Sequence, residues 1–145
     1  MGWYAMAIPD VLDHLPEDHP KREKIVMIFS DMIEAISAVQ DQSTGLWYQV
    51  LDQGDRRGNY LEASASCMFV YALAKGVRMG YLGPEYLAAA RRGYDGILEE
   101  FVTVDDQGFV NVRLKTFDKV TIGDGLVRDL VHPDNPLFAD LTGDF

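Results

Sequence analysis

Residues 46–60 (LWYQVLDQGDRRGNY) gather one tryptophan, two tyrosines, two aspartates and two arginines into a single connector. Aromatic faces stack on the apolar faces of pyranose rings, and a guanidinium holds a carboxylate through two parallel hydrogen bonds. Trp47, Tyr48 and Arg56 are therefore candidate contacts for a sugar. The same residues admit a structural reading, with Trp47 and Tyr48 anchoring a core and Arg56 and Arg57 forming a solvated turn. Glu62 follows directly, at the head of an apolar stretch that also carries Ser64 and Ser66. A carboxylate there is either an acceptor for substrate hydroxyls or a helix-start charge favoured by the macrodipole.

Other chemistries find no support. His14, His19 and His132 lack the spacing of a metal-ligand set, and Asp105-Asp106-Gln107-Gly108 lacks the alternating oxygen ligands and terminal glutamate of a calcium loop. No glycine-rich phosphate loop and no Ser-His-Asp or Cys-His constellation stands out, so the sequence assigns no catalytic residue, no metal and no cofactor. Cys67 lies in an apolar run and reads as a small buried hydrophobe. With 13 Lys+Arg against 23 Asp+Glu, the net charge of −10 argues against a nucleic-acid partner, whose affinity draws on basic side chains. No window approaches the roughly 18 apolar residues of a membrane span, and no secretory leader is visible, so a soluble, cytoplasmic protein is expected.

The elements that must position these side chains alternate in character. Residues 3–12 (WYAMAIPDVL) are apolar on nearly every side, with Pro9 a candidate kink or early break. Residues 21–40 are amphipathic: Ile25, Phe29, Met32, Ile33, Ile36 and Val39 recur at spacings of three and four opposite Arg22, Glu23, Asp31 and Glu34. Asp18 ahead of Pro20 reads as the cap of that helix. Residues 61–80 are again apolar all round, and residues 84–101 return to amphipathic spacing. The order is inner, outer, inner, outer. Each outer helix runs into an acidic, then glycine, then apolar connector, and the two glycines, Gly45 and Gly108, lie 63 residues apart, one helical hairpin plus its loops.

The expected fold is therefore all-α, a partial (α/α)6 toroid in which inner helices are covered on both sides and outer helices on one. It spans residues 1–112. Residues 113–145 form an irregular extension of the same domain, with a short β-hairpin expected between residues 120–122 and 126–131 across Asp124-Gly125.

Three ordered blocks carry a resemblance: Gly2-Trp3-Tyr4-Ala5-Met6-Ala7, then Thr44-Gly45-Leu46-Trp47-Tyr48-Gln49-Val50-Leu51-Asp52, then Asn59-Tyr60-Leu61-Glu62-Ala63-Ser64-Ala65-Ser66. Together they resemble glycoside hydrolase family 105, the unsaturated rhamnogalacturonyl hydrolases, over about residues 2–112. The resemblance implies an (α/α)6 barrel that removes an unsaturated uronic acid from pectin-derived oligosaccharides, without metal or nucleotide. In that family an aspartic acid protonates the C4=C5 bond, water adds at C5, and the hemiketal opens. The resemblance also implies that this aspartate and a Trp-x-Arg-Gly stretch fall ahead of Gly2. A Gly-Thr-Cys and Gly-Leu-Gly-Gly run that the family carries after the position of Val112 has no counterpart in residues 113–145.

The expected function is that of a fragment or remodelled member of this hydrolase family, with Trp3, Trp47, Tyr48, Arg56 and Glu62 as substrate-binding residues and an unsaturated uronyl oligosaccharide as partner. An alternative is a non-catalytic saccharide-binding module. A further alternative is a self-associating one, because an incomplete ring exposes the flank of helix 3–12 and such patches drive homo-oligomers.

Overall fold

The computed structural model describes residues 1–106 and 110–112. It contains four α-helices, α1 (Gly2–His14), α2 (Arg22–Ala38), α3 (Ala63–Arg78) and α4 (Leu87–Phe101), with a 3-10 turn at Pro84–Tyr86 leading into α4. Strands β1 (Val102–Val104) and β2 (Val110–Val112) pair antiparallel, Val102 opposite Val112. The hairpin expected in residues 120–131 lies outside the described residues. The β1–β2 pair falls where the sequence pattern shows only a connector; two valines alternating with one polar residue are too few to register as a strand.

α3 is the inner helix of the sequence reading. Ala63, Ser66, Cys67, Met68, Phe69, Val70, Ala72, Leu73 and Ala74 are all buried, so every side of its middle is covered. α2 and α4 are covered on one side, through Phe29, Ile33 and Ile36 in the first and Ala89, Ala90, Tyr94, Ile97 and Phe101 in the second. α1 and α3 run parallel: Gly2 lies against Ala65 and Met68 near the start of α3, and Asp10 and Asp13 reach Lys75 near its end. Parallel inner helices with returning outer ones give the layering of an α/α-toroid segment.

Three expectations for the first hairpin are corrected. α1 is buried only through Gly2, Ala5, Ile8, Pro9 and Leu12, while Trp3, Tyr4 and Val11 stand exposed, because among the described residues α2 and α3 cover one side of it and nothing covers the other. Pro9 neither breaks nor ends the helix, which continues to His14. Asp18 does not cap α2. Successive turns, His19 N–H to the Pro16 carbonyl and Arg22 N–H to the His19 carbonyl, hold Asp18 ahead of the helix, and the Lys21 N–H donates to His19 Nδ1 at 3.2 Å. The Arg22 guanidinium instead serves the end of α1, donating to the carbonyls of Leu12 at 2.8 Å and Leu15 at 2.6 Å.

Close backbone contact fixes the connector between the hairpins. Asp41 Oδ1 accepts from the backbone and hydroxyl of both Ser43 and Thr44, turning the chain into Gly45 at φ +73°. A Cβ at Gly45 would stand 2.2 Å from the Arg92 carbonyl oxygen, and one at Gly96 would stand 1.9 Å from that of Thr44. Only glycine lets the connector lie this flat on α4. Buried Gln40 completes the joint, donating to the Gly45 and Ala89 carbonyls at 2.7 and 2.9 Å and accepting from Arg92 at 2.8 Å.

Candidate functional site

The starts of α1 and α3 meet the 46–62 connector around a cleft of about 230 Å³, lined by Gly2, Trp3, Tyr48, Gln49, Leu51, Glu62, Ser64, Ala65, Met68 and Phe69 among others. Gly2 admits the close approach, since a Cβ there would lie 2.8 Å from Met68 Sδ. Trp3 projects from the first turn of α1 with 71% of its surface exposed, an open aromatic face at the cleft. Tyr48 is held by an antiparallel bridge to Leu61, and the neighbouring backbone bonds, Gln49 N–H to the Tyr60 carbonyl and Glu62 N–H to the Trp47 carbonyl, are each 2.8 Å.

Glu62 caps α3, its carboxylate accepting from the Ala65 N–H and, at 2.8 and 3.0 Å, from the Ser64 hydroxyl. It is 6% exposed and still borders the cleft. Capping and cleft-lining, alternatives in the sequence, are both features of this one side chain. Fixed donors and the positive helix end hold the carboxylate in a single orientation.

The structure separates the other two expected residues from the cleft. Trp47 is fully buried: its indole N–H donates to the Ile36 carbonyl at 2.8 Å, its backbone N–H donates to Ser66 Oγ at 3.1 Å, and its ring meets Phe69 edge-on with centroids 5.4 Å apart. It has no face left for a sugar and is a core anchor. Arg56 stays in the exposed turn, within 3.4 Å of Gln53 Oε1, and does not line the cleft.

Several organising residues escaped the sequence reading. Asn59 clasps the connector, accepting from Val50 N–H at 3.0 Å and donating to the carbonyls of Val50 at 3.0 Å and Gln53 at 2.6 Å. Lys75, 7% exposed, pairs with Asp10 and Asp13 at 2.6 Å each, and the Tyr71 hydroxyl donates to Asp10. Burial opposes the Lys75 charge, yet its bonds to Asp10, Asp13 and Tyr71 win and raise its pKa; the Lys75 hydrogen bond in turn lowers that of Asp13. The signal was present as lone charges of opposite sign on two apolar helices, Asp10 on one and Lys75 on the other. Burial pushes the Cys67 thiol up to about 12, which makes it inert. Among the described residues no three His, Cys, Asp or Glu side chains converge as metal ligands, and no helix is long and apolar enough to cross a membrane.

Layered helices with an aromatic and carboxylate cleft at the inner-helix starts define a segment of an α/α toroid. Comparison with known proteins makes this particular: the Glycosyl Hydrolase Family 88 model matches residues 1–128, and the chain belongs to that family. A family 105 glycoside hydrolase of C. acetobutylicum superposes with a TM-score of 0.74 at 45% identity, over 77% of this chain and 31% of that one. A 24.9 kDa protein in the picA locus of Rhizobium radiobacter is 41% identical over 112 residues, 74% of this chain and 47% of its own. An unsaturated 3S-rhamnoglycuronyl hydrolase of Alteromonas sp. is 29% identical over 111 residues, 76% of this chain and 26% of its own. The chain thus spans less than half the length of the relatives it matches, and the resemblance to family 105 read from the three sequence blocks holds.

Proposed function

We propose that this chain forms one wall of the saccharide pocket of a hydrolase acting on unsaturated uronyl oligosaccharides of the rhamnogalacturonyl type. The observation that carries the proposal is the cleft itself, where exposed Trp3 and half-buried Tyr48 flank a carboxylate, Glu62, locked by two donors. Trp3 stacks on the sugar, Tyr48 bounds its far side, and Glu62 accepts from a ring hydroxyl. Trp47 acts one step back, fixing the backbone that presents Tyr48.

Hydration of the C4=C5 bond needs a carboxylic acid that delivers a proton to C4 while water adds at C5. Each carboxylate that could stand in for the family's aspartate is otherwise engaged or away from the cleft. Glu62 is held as an acceptor by the Ala65 and Ser64 donors, Asp10 is paired with Lys75, and Asp52 lies in the connector outside the cleft lining. We therefore place the proton donor outside the described residues of this chain.

The test is titration of the chain with unsaturated galacturonyl-rhamnose while following Trp3 fluorescence and the ultraviolet absorbance of the C4=C5 bond. Saturable quenching without absorbance decay is the expected result. Decay abolished by Glu62→Gln would move the acid into this chain, and absence of any binding would overturn the pocket.

A second reading rests on a separate observation. Trp3, Tyr4 and Val11 form an exposed apolar stripe along α1. A second copy packed symmetrically on this face gives the homo-oligomer that such a stripe favours. A monomer mass by light scattering at micromolar concentration removes this reading.

A further inference from the structure

Tyr48, Gln49 and Leu51 line the cleft from the connector, and Val50 lies between the last two. The main-chain ladder that presents them is short. It runs through the Tyr48–Leu61 bridge, with Glu62 N–H on the Trp47 carbonyl and Gln49 N–H on the Tyr60 carbonyl, each 2.8 Å. The next rung is made by a side chain. Val50 N–H donates to Asn59 Oδ1 at 3.0 Å, and Asn59 Nδ2 donates back to the Val50 carbonyl at 3.0 Å. A carboxamide has the donor and acceptor of a peptide group, so Asn59 extends the ladder by one residue.

The same amide also holds the turn that follows. Its Nδ2 donates to the Gln53 carbonyl at 2.6 Å and its Oδ1 accepts from the Tyr60 N–H at 3.2 Å, which uses both donor hydrogens and both lone pairs. Gln53 precedes Gly54, where a Cβ would stand 3.0 Å from Tyr48 Cε2, so this bond seats the turn on the edge of the Tyr48 ring. Residues 50–59 are half-buried or exposed. Hydrogen bonds, more than core packing, therefore decide whether this stretch stays closed.

We propose that Asn59 is a positioning residue of the saccharide cleft, its amide setting the backbone that presents Tyr48, Gln49 and Leu51 while it stays outside the cleft lining. This rests on the saccharide reading of the cleft and adds what keeps that cleft formed before the sugar arrives. Opening the clasp is a local event, so the helices stay folded and only a fraction of molecules keeps the cleft in its binding shape. Apparent affinity falls by that fraction, and the complex reached at saturation is the same.

The test is titration of the whole chain with unsaturated galacturonyl-rhamnose, read by Trp3 fluorescence, in wild type, Asn59→Ala and Asn59→Asp. Urea curves by circular dichroism and hydrogen exchange at the Val50 amide are measured alongside. Asn59→Asp matches asparagine in size and keeps the accepting oxygen, but it loses both donors and turns a carboxylate toward the carbonyls of Val50 and Gln53. Both variants should bind about fivefold or more weakly and reach the wild-type quenching plateau. Their urea midpoints should stay within about 0.5 M of wild type, and Asn59→Ala should exchange the Val50 amide about tenfold faster. Affinity within about twofold of wild type in Asn59→Asp overturns the clasp, because the donors then do nothing for binding. A midpoint lowered by about 1 M or more marks a fold effect, and a lower plateau marks a direct sugar contact; either one also overturns it. A wild-type chain that binds nothing removes the saccharide reading and the clasp together, whereas wild-type binding that both variants keep removes the clasp alone.

Discussion

Replacing Trp47 by Phe separates the two roles its sequence position allows, core anchor or sugar platform. The substitution removes the indole N–H that donates to the Ile36 carbonyl at 2.8 Å, a loss of about 1 kcal/mol for a buried neutral hydrogen bond. It also empties the space of the pyrrole portion in a site with 0% exposure, wedged against Phe69, which costs about 2 kcal/mol in transfer and cavity terms together. The sum, about 3 kcal/mol, is a large part of the roughly 5–15 kcal/mol by which a domain is stable. In urea, with a slope of about 2 kcal/mol per molar, the far-ultraviolet circular dichroism midpoint should fall by about 1.5 M. Saccharide affinity at low denaturant should stay within about twofold, because the ring does not reach the cleft. A midpoint shift below about 0.5 M together with lost saccharide binding would refute the reasoning. The chain has two tryptophans, so this variant leaves Trp3 as the only one, and its emission should quench readily with acrylamide, unlike that of Trp47 in Trp3→Phe.

Three other outcomes follow from the packing and the titrating groups. Gly96→Ala should cost about 2 kcal/mol or more, because its Cβ falls on the Thr44 carbonyl, whereas Gly58→Ala, at φ +84° in open space, should cost about 1 kcal/mol; paired denaturation curves check the difference. Cys67, with its thiol near 12 and its side chain buried, should resist thiol reagents at neutral pH and react only after denaturation, and labelling in the native state would contradict the packing of α3. The Lys75–Asp13 pair should bracket stability in pH. The pKa of Asp13 is lowered, so its contribution is complete above the ordinary carboxylate value near 3.8 and fades as pH falls through the lowered value. The pKa of Lys75 is raised, so its contribution is complete below the ordinary 10.5 and fades only as pH rises through the raised value. Lys75→Met should flatten both limbs of a melting-temperature profile, and unchanged limbs would show that the pair is not what titrates.

The alternation of helix character was legible because burial leaves a local periodic trace. An inner helix such as α3 cannot tolerate a polar face, and an outer one such as α2 needs one. Composition likewise marked the 46–62 connector, since Trp, Tyr and Glu beside a helix start are unusual for a loop that only reverses the chain. The three blocks that resemble family 105 fixed the family for the same reason: they hold the connector and both inner-helix starts.

What only the tertiary structure decided is which of two equally aromatic residues faces the cleft. Trp47 and Tyr48 are neighbours, and in an extended segment adjacent side chains point to opposite faces; the sequence does not say which face the core occupies. Packing against Phe69 and Ile36 took Trp47 inward and turned Tyr48 out. Gly93 and Gly96 look like weak points in a helix until their neighbours are seen lying on them, α3 on Gly93, where a Cβ would strike Val70, and the connector on Gly96, where one would strike the Thr44 carbonyl. Asp10 and Lys75, 65 positions apart, meet because α1 and α3 run parallel, a contact no local pattern encodes. Tyr60 in the connector and Glu100 at the end of α4 line one cleft, a shared surface that exists only once the outer helix packs on the inner one.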